Sequence, residues 1–170
     1  GANKEEYLWQ TVNFSDSSVK LSSSGINGWE KVNLKGAFQD KEIVASGKNS
    51  YVKFIFNGTG VKWYGSTSSQ RGKADIYLDG KLIFENLDLY RNEGQPRELL
   101  FSKKSLKPGR HTLKIKVTGK TCSKAFMPVD TVDCFAYLPT PEEMVKTINN
   151  YQDKYKKLKK ESKIAMKDKN

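Results

Sequence analysis

From residue 50 to 138 the side chains alternate between apolar and polar with a period of two, and no other feature constrains the fold as much. Val52, Phe54 and Phe56 alternate with Tyr51, Lys53 and Ile55; Ala74, Ile76 and Leu78 with Lys73, Asp75 and Tyr77; Leu113, Ile115 and Val117 with Thr112, Lys114 and Lys116. Successive side chains of a strand point to opposite faces, so each run reads as a strand with one buried face. Turn signals punctuate the runs: Asn57-Gly58-Thr59-Gly60, residues 65–72, Asp79-Gly80, Lys107-Pro108-Gly109 and Gly119-Lys120. Asp79-Gly80 is the strongest of these, because a two-residue type I′ turn needs positive φ at both positions; it pairs 73–78 with 81–85. Short strands at roughly ten-residue spacing without intervening helices predict an all-β antiparallel sandwich rather than a βαβ fold.

The flanks differ. Residues 15–24 hold six Ser and one Asp around Val19 and Leu21, and Gly25-Ile26-Asn27-Gly28-Trp29 follows as a Gly-bracketed loop, so short edge strands and long loops are expected there. Residues 1–9 read as an extension: Gly1 to Glu6 lack the apolar core of a signal peptide and are expected to be an added remnant ahead of an exported or internal fragment. The sandwich is expected over 10–138. At Pro139 the period changes. Thr140-Pro141-Glu142-Glu143 combines an N-cap Thr, a Pro at the first helical position and a Glu three residues after the cap. A helix is expected from 141 to about 160, with the end of the 139–170 tail losing order. Met144, Ile148, Tyr151, Tyr155 and Leu158 are spaced 4, 3, 4 and 3, a coiled-coil seam two heptads long. That seam is expected to meet another helix or the sandwich, as an oligomer contact or a link to a further domain.

Thirty basic against nineteen acidic residues give a net charge of +11, divided as +7 over 1–140 and +4 over 141–170. The surplus looks diffuse in sequence, without the recognition motifs of a nucleic-acid binder, so no nucleic-acid partner is expected. No apolar run is long enough to span a membrane. Cys122 and Cys134 lie twelve positions apart without the spacing of a zinc site. They are expected to form a disulfide if the chain is exported, two free thiols being the alternative. A Ser-His-Asp triad would need His111, the chain's single His, which lies in a turn leading into a strand; there is no GxSxG elbow and no phosphate-binding loop. Asp75, Asp79, Asp88 and Asp133 each have a strand or turn explanation, and no carboxylate pair stands out for glycoside hydrolysis. The chain is expected not to be an enzyme.

One run extends from Phe56-Asn57-Gly58-Thr59-Gly60-Val61-Lys62-Trp63-Tyr64-Gly65 through Arg71-Gly72-Lys73-Ala74-Asp75-Ile76-Tyr77-Leu78-Asp79-Gly80. It continues in Asp88-Leu89-Tyr90, Leu99-Leu100-Phe101-Ser102, Leu106 to Leu113 and Val132-Asp133-Cys134-Phe135. Residues 10–138 thereby resemble the galactose-binding-domain-like jelly-roll modules appended to secreted bacterial glycoside hydrolases, esterases and surface proteins. The resemblance implies a jelly roll, a secreted or cell-surface location and a glycan, adhesion or spacer role. It implies no cofactor, although related jelly rolls often hold a structural calcium ion; the two Cys, the insertion at 25–28 and the helical tail depart from the pattern.

In a sandwich the end loops carry binding residues. A sugar site needs an aromatic face for the C–H side of the ring and planar polar groups for its hydroxyls. Trp29, Gln70 and Arg71, and Tyr90, Arg91 and Asn92 are the candidates, with a core role for Trp29, a loop-bracing ion pair for Arg71 and ordinary strand-end packing for Tyr90 as the alternatives. Phe126 and Met127 form an apolar tip between the two Cys, and Trp63 is expected in the core. The leading expectation is a noncatalytic carbohydrate-binding or adhesion module of an exported bacterial protein. The other is a structural spacer or assembly domain acting through its helix.

Overall fold

The computed structural model describes residues 8–23 and 28–168; most of the 1–9 extension and residues 24–27 of the Gly-bracketed loop lie outside them. Among the described residues eleven strands and one long helix follow in chain order. The strands are β1 (Gln10–Asn13), β2 (Val19–Leu21), β3 (Glu30–Asn33), β4 (Lys41–Ala45), β5 (Tyr51–Gly65) and β6 (Lys73–Leu78), followed by β7 (Lys81–Asp88), β8 (Glu98–Lys103), β9 (Gly109–Val117), β10 (Asp130–Val132) and β11 (Cys134–Pro139). The helix is α1 (Pro141–Asp168). A large antiparallel sheet has the order β1-β11-β5-β9-β6-β7, with β2 and β8 also pairing with the long β5. A three-stranded sheet, β10-β4-β3, faces it. The protein is thus a β-sandwich with a C-terminal helix.

The alternation is realised as expected. Val52, Phe54 and Phe56 of β5, Leu113 and Ile115 of β9 and Ile76 of β6 all turn inward. Phe54 stacks on Phe135 with ring centroids 4.8 Å apart and 11° between planes. Asp79 and Gly80 have φ of 53° and 83°, the two positive values a type I′ turn requires, and join Leu78 directly to Lys81. Trp63 is fully buried.

Two expectations fail in the core. Trp29 is not on an accessible loop surface: it is only 2% exposed, and its indole N–H donates to the carbonyl of Tyr51 at 3.0 Å. A large ring with one polar atom is held best where that atom finds an acceptor, and the first residue of β5 supplies it. The disulfide is also absent, since Cys122 and Cys134 are both free. Cys134 is buried in β11 between Asn13 and Tyr64, whereas the loop of Cys122 is tied to the start of β6 by Lys73 N–H to Lys120 O and Gly72 N–H to Val129 O, both 2.9 Å. Burial pushes the Cys134 thiol up to about 12, so it is inert as a nucleophile at neutral pH.

α1 begins where its sequence signals put it. The Thr140 hydroxyl accepts the Glu143 N–H at 3.3 Å and its carbonyl accepts the Met144 N–H at 2.9 Å. The helix runs beyond the expected 160 to Asp168, and none of its residues is buried. Apart from Met144, which is half-buried at the foot of the helix, the seam does not pack on the sandwich: Ile148, Tyr151, Tyr155 and Leu158 all face outward. β11 ends immediately before α1, so the helix leaves the sandwich with no layer alongside it.

Candidate functional site

Three loops meet at the end of the sandwich where β5 finishes. The first, 66–72, leaves β5; the second, 89–97, leaves β7; the third, 118–129, leaves β9. The first two are stitched together by a Ser68–Tyr90 bridge and by Arg91 N–H to Ser68 O and Thr67 N–H to Gln95 O, both 3.0 Å. Gly94 allows this approach, because a Cβ there would overlap the Thr67 carbonyl. Gly72 does the same for the third loop, lying against the backbone of Pro128.

Beneath the loops is a buried polar cluster that the sequence did not announce. Ser66 Oγ donates to Glu42 Oε1 at 2.8 Å, and Ser66 N–H donates to Thr131 Oγ1 at 2.8 Å. Arg71 Nη2 donates to Ser66 Oγ at 3.0 Å and lies 3.8 Å from Glu42 Oε1. Its side chain is only 16% exposed, so Arg71 braces its own loop instead of reaching out to a ligand. Asp130 is fully buried beside it, with neither carboxylate oxygen hydrogen-bonded. Burial drives the Asp130 carboxyl well above its usual range, Arg71 opposing and Asp88 and Asp75 reinforcing the rise; burial likewise raises Glu42. Arg71 is thus in ion-pair range of Glu42, while Asp130 feels its charge without a direct hydrogen bond.

Above the cluster the surface is mixed polar and apolar. Gln70 and Asn92 are exposed, and Tyr90 is half-buried. Arg91 Nη1 donates to the carbonyls of Tyr90 at 2.7 Å and Asp88 at 3.0 Å, while its Nε lies 3.4 Å from Glu98 Oε1. Its side chain remains 42% exposed, which leaves an oriented guanidinium edge for a ligand. Phe126 is 84% exposed, with Met127 beside it, at the tip of the third loop. Of the expected site residues the fold therefore brings Gln70, Arg71, Tyr90, Arg91 and Asn92 together, with Arg71 as the support. Trp29 lies apart, at the opposite end of the fifteen-residue β5.

His111 is engaged at both ring nitrogens: Nδ1 lies 2.6 Å from Asp79 Oδ2 and Nε2 lies 2.6 Å from the Lys107 carbonyl. With both ring nitrogens engaged, neither is open to take a proton from a substrate.

Comparison with known proteins finds similarity to parts of carbohydrate-active enzymes. The chain is 28% identical over 129 residues to an A type blood alpha-D-galactosamine galactosaminidase of Flavonifractor plautii, covering 73% of this chain and 11% of that protein. It is 33% identical over 87 residues to an A type blood N-acetyl-alpha-D-galactosamine deacetylase of the same organism, covering 51% of this chain and 10% of that one. The chain thus spans about a tenth of the length of these curated relatives. No family model matches. Among solved structures, a two-domain esterase active on acetylated mannans superposes with a TM-score of 0.57 at 17% identity, over 78% of this chain and 36% of that chain. A Paenibacillus xanthan lyase superposes with a TM-score of 0.54 at 18% identity, over 71% and 12%. Both share the fold.

Proposed function

We propose that the protein is a noncatalytic carbohydrate-binding module of a larger exported bacterial enzyme or adhesin, of the galactose-binding-like kind, that holds a glycan on the loops at one end of the sandwich. The observation that carries this reading is the convergence of Gln70, Tyr90, Arg91 and Asn92 on two loops bridged at Ser68 and Tyr90 and braced from below by Arg71. Tyr90 and Phe126 offer apolar ring surface to the C–H face of a sugar; Arg91, Gln70 and Asn92 offer planar polar groups to its hydroxyls. The relatives' names direct the choice of ligand to glycans bearing α-linked galactosamine or N-acetylgalactosamine. The occupied nitrogens of His111 and the small share of the relatives that the chain spans both favour binding over catalysis. A secreted or cell-surface location belongs to the same reading; no described helix is long and apolar enough to cross a membrane.

A shallow site without a lid should bind with a micromolar to millimolar dissociation constant, about −4 to −8 kcal/mol. A glycan array that includes A-type structures, followed by calorimetry, tests this. Tyr90→Ala, Arg91→Ala and Asn92→Ala should each weaken the best ligand several-fold in a folded protein. If all three bind as the unaltered protein does, the loop site is wrong. A second reading, an assembly or spacer domain, is favoured by the outward seam of α1, and a protein that binds nothing on the array but self-associates would support it.

A further inference from the structure

The basic surplus that looks diffuse in the sequence is gathered by strand register onto one face. Lys20 of β2 pairs with Lys53 of β5, Lys53 with Lys114 of β9, and Lys114 with Tyr77 of β6. In the next row Tyr51 pairs with Lys116, and Lys116 with Asp75. Their strand neighbours Val19, Val52, Phe54, Leu113, Ile115 and Ile76 are all buried, so these lysines and tyrosines share the outer face of the large sheet.

Like charges placed directly opposite one another across strands destabilise a sheet. Three consecutive strands nevertheless present lysine at the same level. Among the described residues none of the four lysines has a carboxylate partner. The one acid in register, Asp75, uses Oδ1 to accept the Asn86 N–H at 2.9 Å. The tyrosines hold the ammonium groups in place: Lys114 Nζ lies 4.9 Å from the ring centre of Tyr51 and 5.1 Å from that of Tyr77, Lys53 Nζ lies 5.2 Å from Tyr51, and Lys116 Nζ lies 5.9 Å from Tyr77. Burial, then repulsion from Lys53 and Lys116, lowers the Lys114 ammonium below its usual range, as expected where lysines crowd one another.

We propose that this outer face, built on Lys20, Lys53, Lys114 and Lys116 with Tyr51 and Tyr77, is a second binding surface, specific for a linear anionic polysaccharide that carries carboxylate or sulfate groups along its length. Neighbouring strands are about 4.8 Å apart, close to the length of one pyranose unit, so a chain with an anion on successive sugars meets successive lysines as it crosses the strands. The same tyrosines argue against single-stranded nucleic acid. Their faces already carry ammonium groups and are not open to stacked bases, which single-stranded nucleic acids require. This surface uses no loop residue and does not depend on the loop site.

Heparin as the sulfated probe, polygalacturonate as the carboxylated probe and duplex DNA as the control polyanion distinguish these possibilities by calorimetry at several salt concentrations. The triple variant Lys53→Gln, Lys114→Gln, Lys116→Gln removes mutually repelling charges and should fold at least as well. It should bind heparin or polygalacturonate at least about tenfold more weakly, with a flatter salt dependence. A charge-matched variant on the helix, Lys154→Gln, Lys157→Gln, Lys163→Gln, and the loop variant Tyr90→Ala should leave that binding unchanged. Equal losses from the two lysine triples would reduce the effect to net charge and overturn the proposal. No binding of either polysaccharide by the unaltered protein would also overturn it, as would duplex DNA binding more tightly than both through the same lysines.

Discussion

The sandwich and the helix that follows it are both rich in large apolar side chains, and they dispose of them oppositely. In the sandwich Trp29, Trp63, Phe54 and Phe135 are all at most 2% exposed. On α1, Tyr151 is 67% and Tyr155 66% exposed, in a stripe as regular as any strand's. The difference lies in what stands opposite. Each inward strand face meets the facing sheet, contributed by the same chain, whereas α1 starts after the last strand and has no layer across from it. Periodicity specifies which face is apolar; topology decides whether the chain itself covers that face.

The contrast breaks most easily in the core. Trp29→Ala removes a buried indole between β3 and the start of β5 and should cost about 3–5 kcal/mol in urea unfolding. The Tyr51 carbonyl keeps the Ser22 N–H at 2.9 Å as a donor, so the loss is one of packing more than of hydrogen bonding. Tyr155→Ala should change stability by less than about 0.5 kcal/mol. Equal effects from the two substitutions would mean that the helix is part of the cooperative unit.

Local pattern carried much of this architecture. The alternations at 51–56, 73–78 and 112–117 marked β5, β6 and β9, Asp79-Gly80 marked its turn, and Thr140 to Glu143 marked the start of α1. What stayed hidden was pairing between distant segments. Lys20, Lys53 and Lys114 span most of a hundred positions, and only strand register sets them side by side. Arg71 showed its charge but not its partner, Glu42 on β4, because that strand is too short to display a period. Tyr90 and Arg91 were legible as loop residues and Arg71 as a loop brace, whereas Ser66 and Thr131, which complete the support, were not. Trp29 misled because Gly-bracketed aromatics look exposed, and the two Cys because their spacing says nothing about the direction in which β11 turns its side chains.

A smaller effect sharpens the comparison within the sandwich, at the turn between β6 and β7. Burial opposes both charges of the Asp79–His111 pair, but the hydrogen bonds outweigh it, so Asp79 lies below its usual 3.8 and His111 above its usual 6.5. The raised histidine contributes stability fully below pH 6.5, lost as pH rises through its higher folded value. The depressed carboxyl contributes stability above pH 3.8, lost as pH falls through its lower folded value. With the Asp79 side chain half exposed, the pair should contribute no more than about 1 kcal/mol. His111→Gln should therefore narrow its stability deficit as pH rises from 6 to 9. Parallel urea profiles for the two proteins over that range would remove the pair's contribution.

The smallest effect is expected where the two regions join. None of the described residues 141–168 is buried, so on removing 141–170 the unfolding free energy of the sandwich should change by less than about 0.5 kcal/mol. The helix itself should behave differently with and without a partner. Alone in water, a helix whose apolar stripe is uncovered gains little beyond its own backbone hydrogen bonds, and it should melt gradually and at lower temperature than the sheets. Circular dichroism at 222 nm would then fall before the near-ultraviolet signal of the buried tryptophans, and the early phase would vanish in the truncated protein. If copies of the chain pair through Ile148, Tyr151, Tyr155 and Leu158, that early phase moves to higher temperature with protein concentration, since association stabilises by mass action. A truncated chain that fails to fold, or a helix signal that melts in step with the tryptophans at every concentration, would show that α1 is held by the sandwich after all.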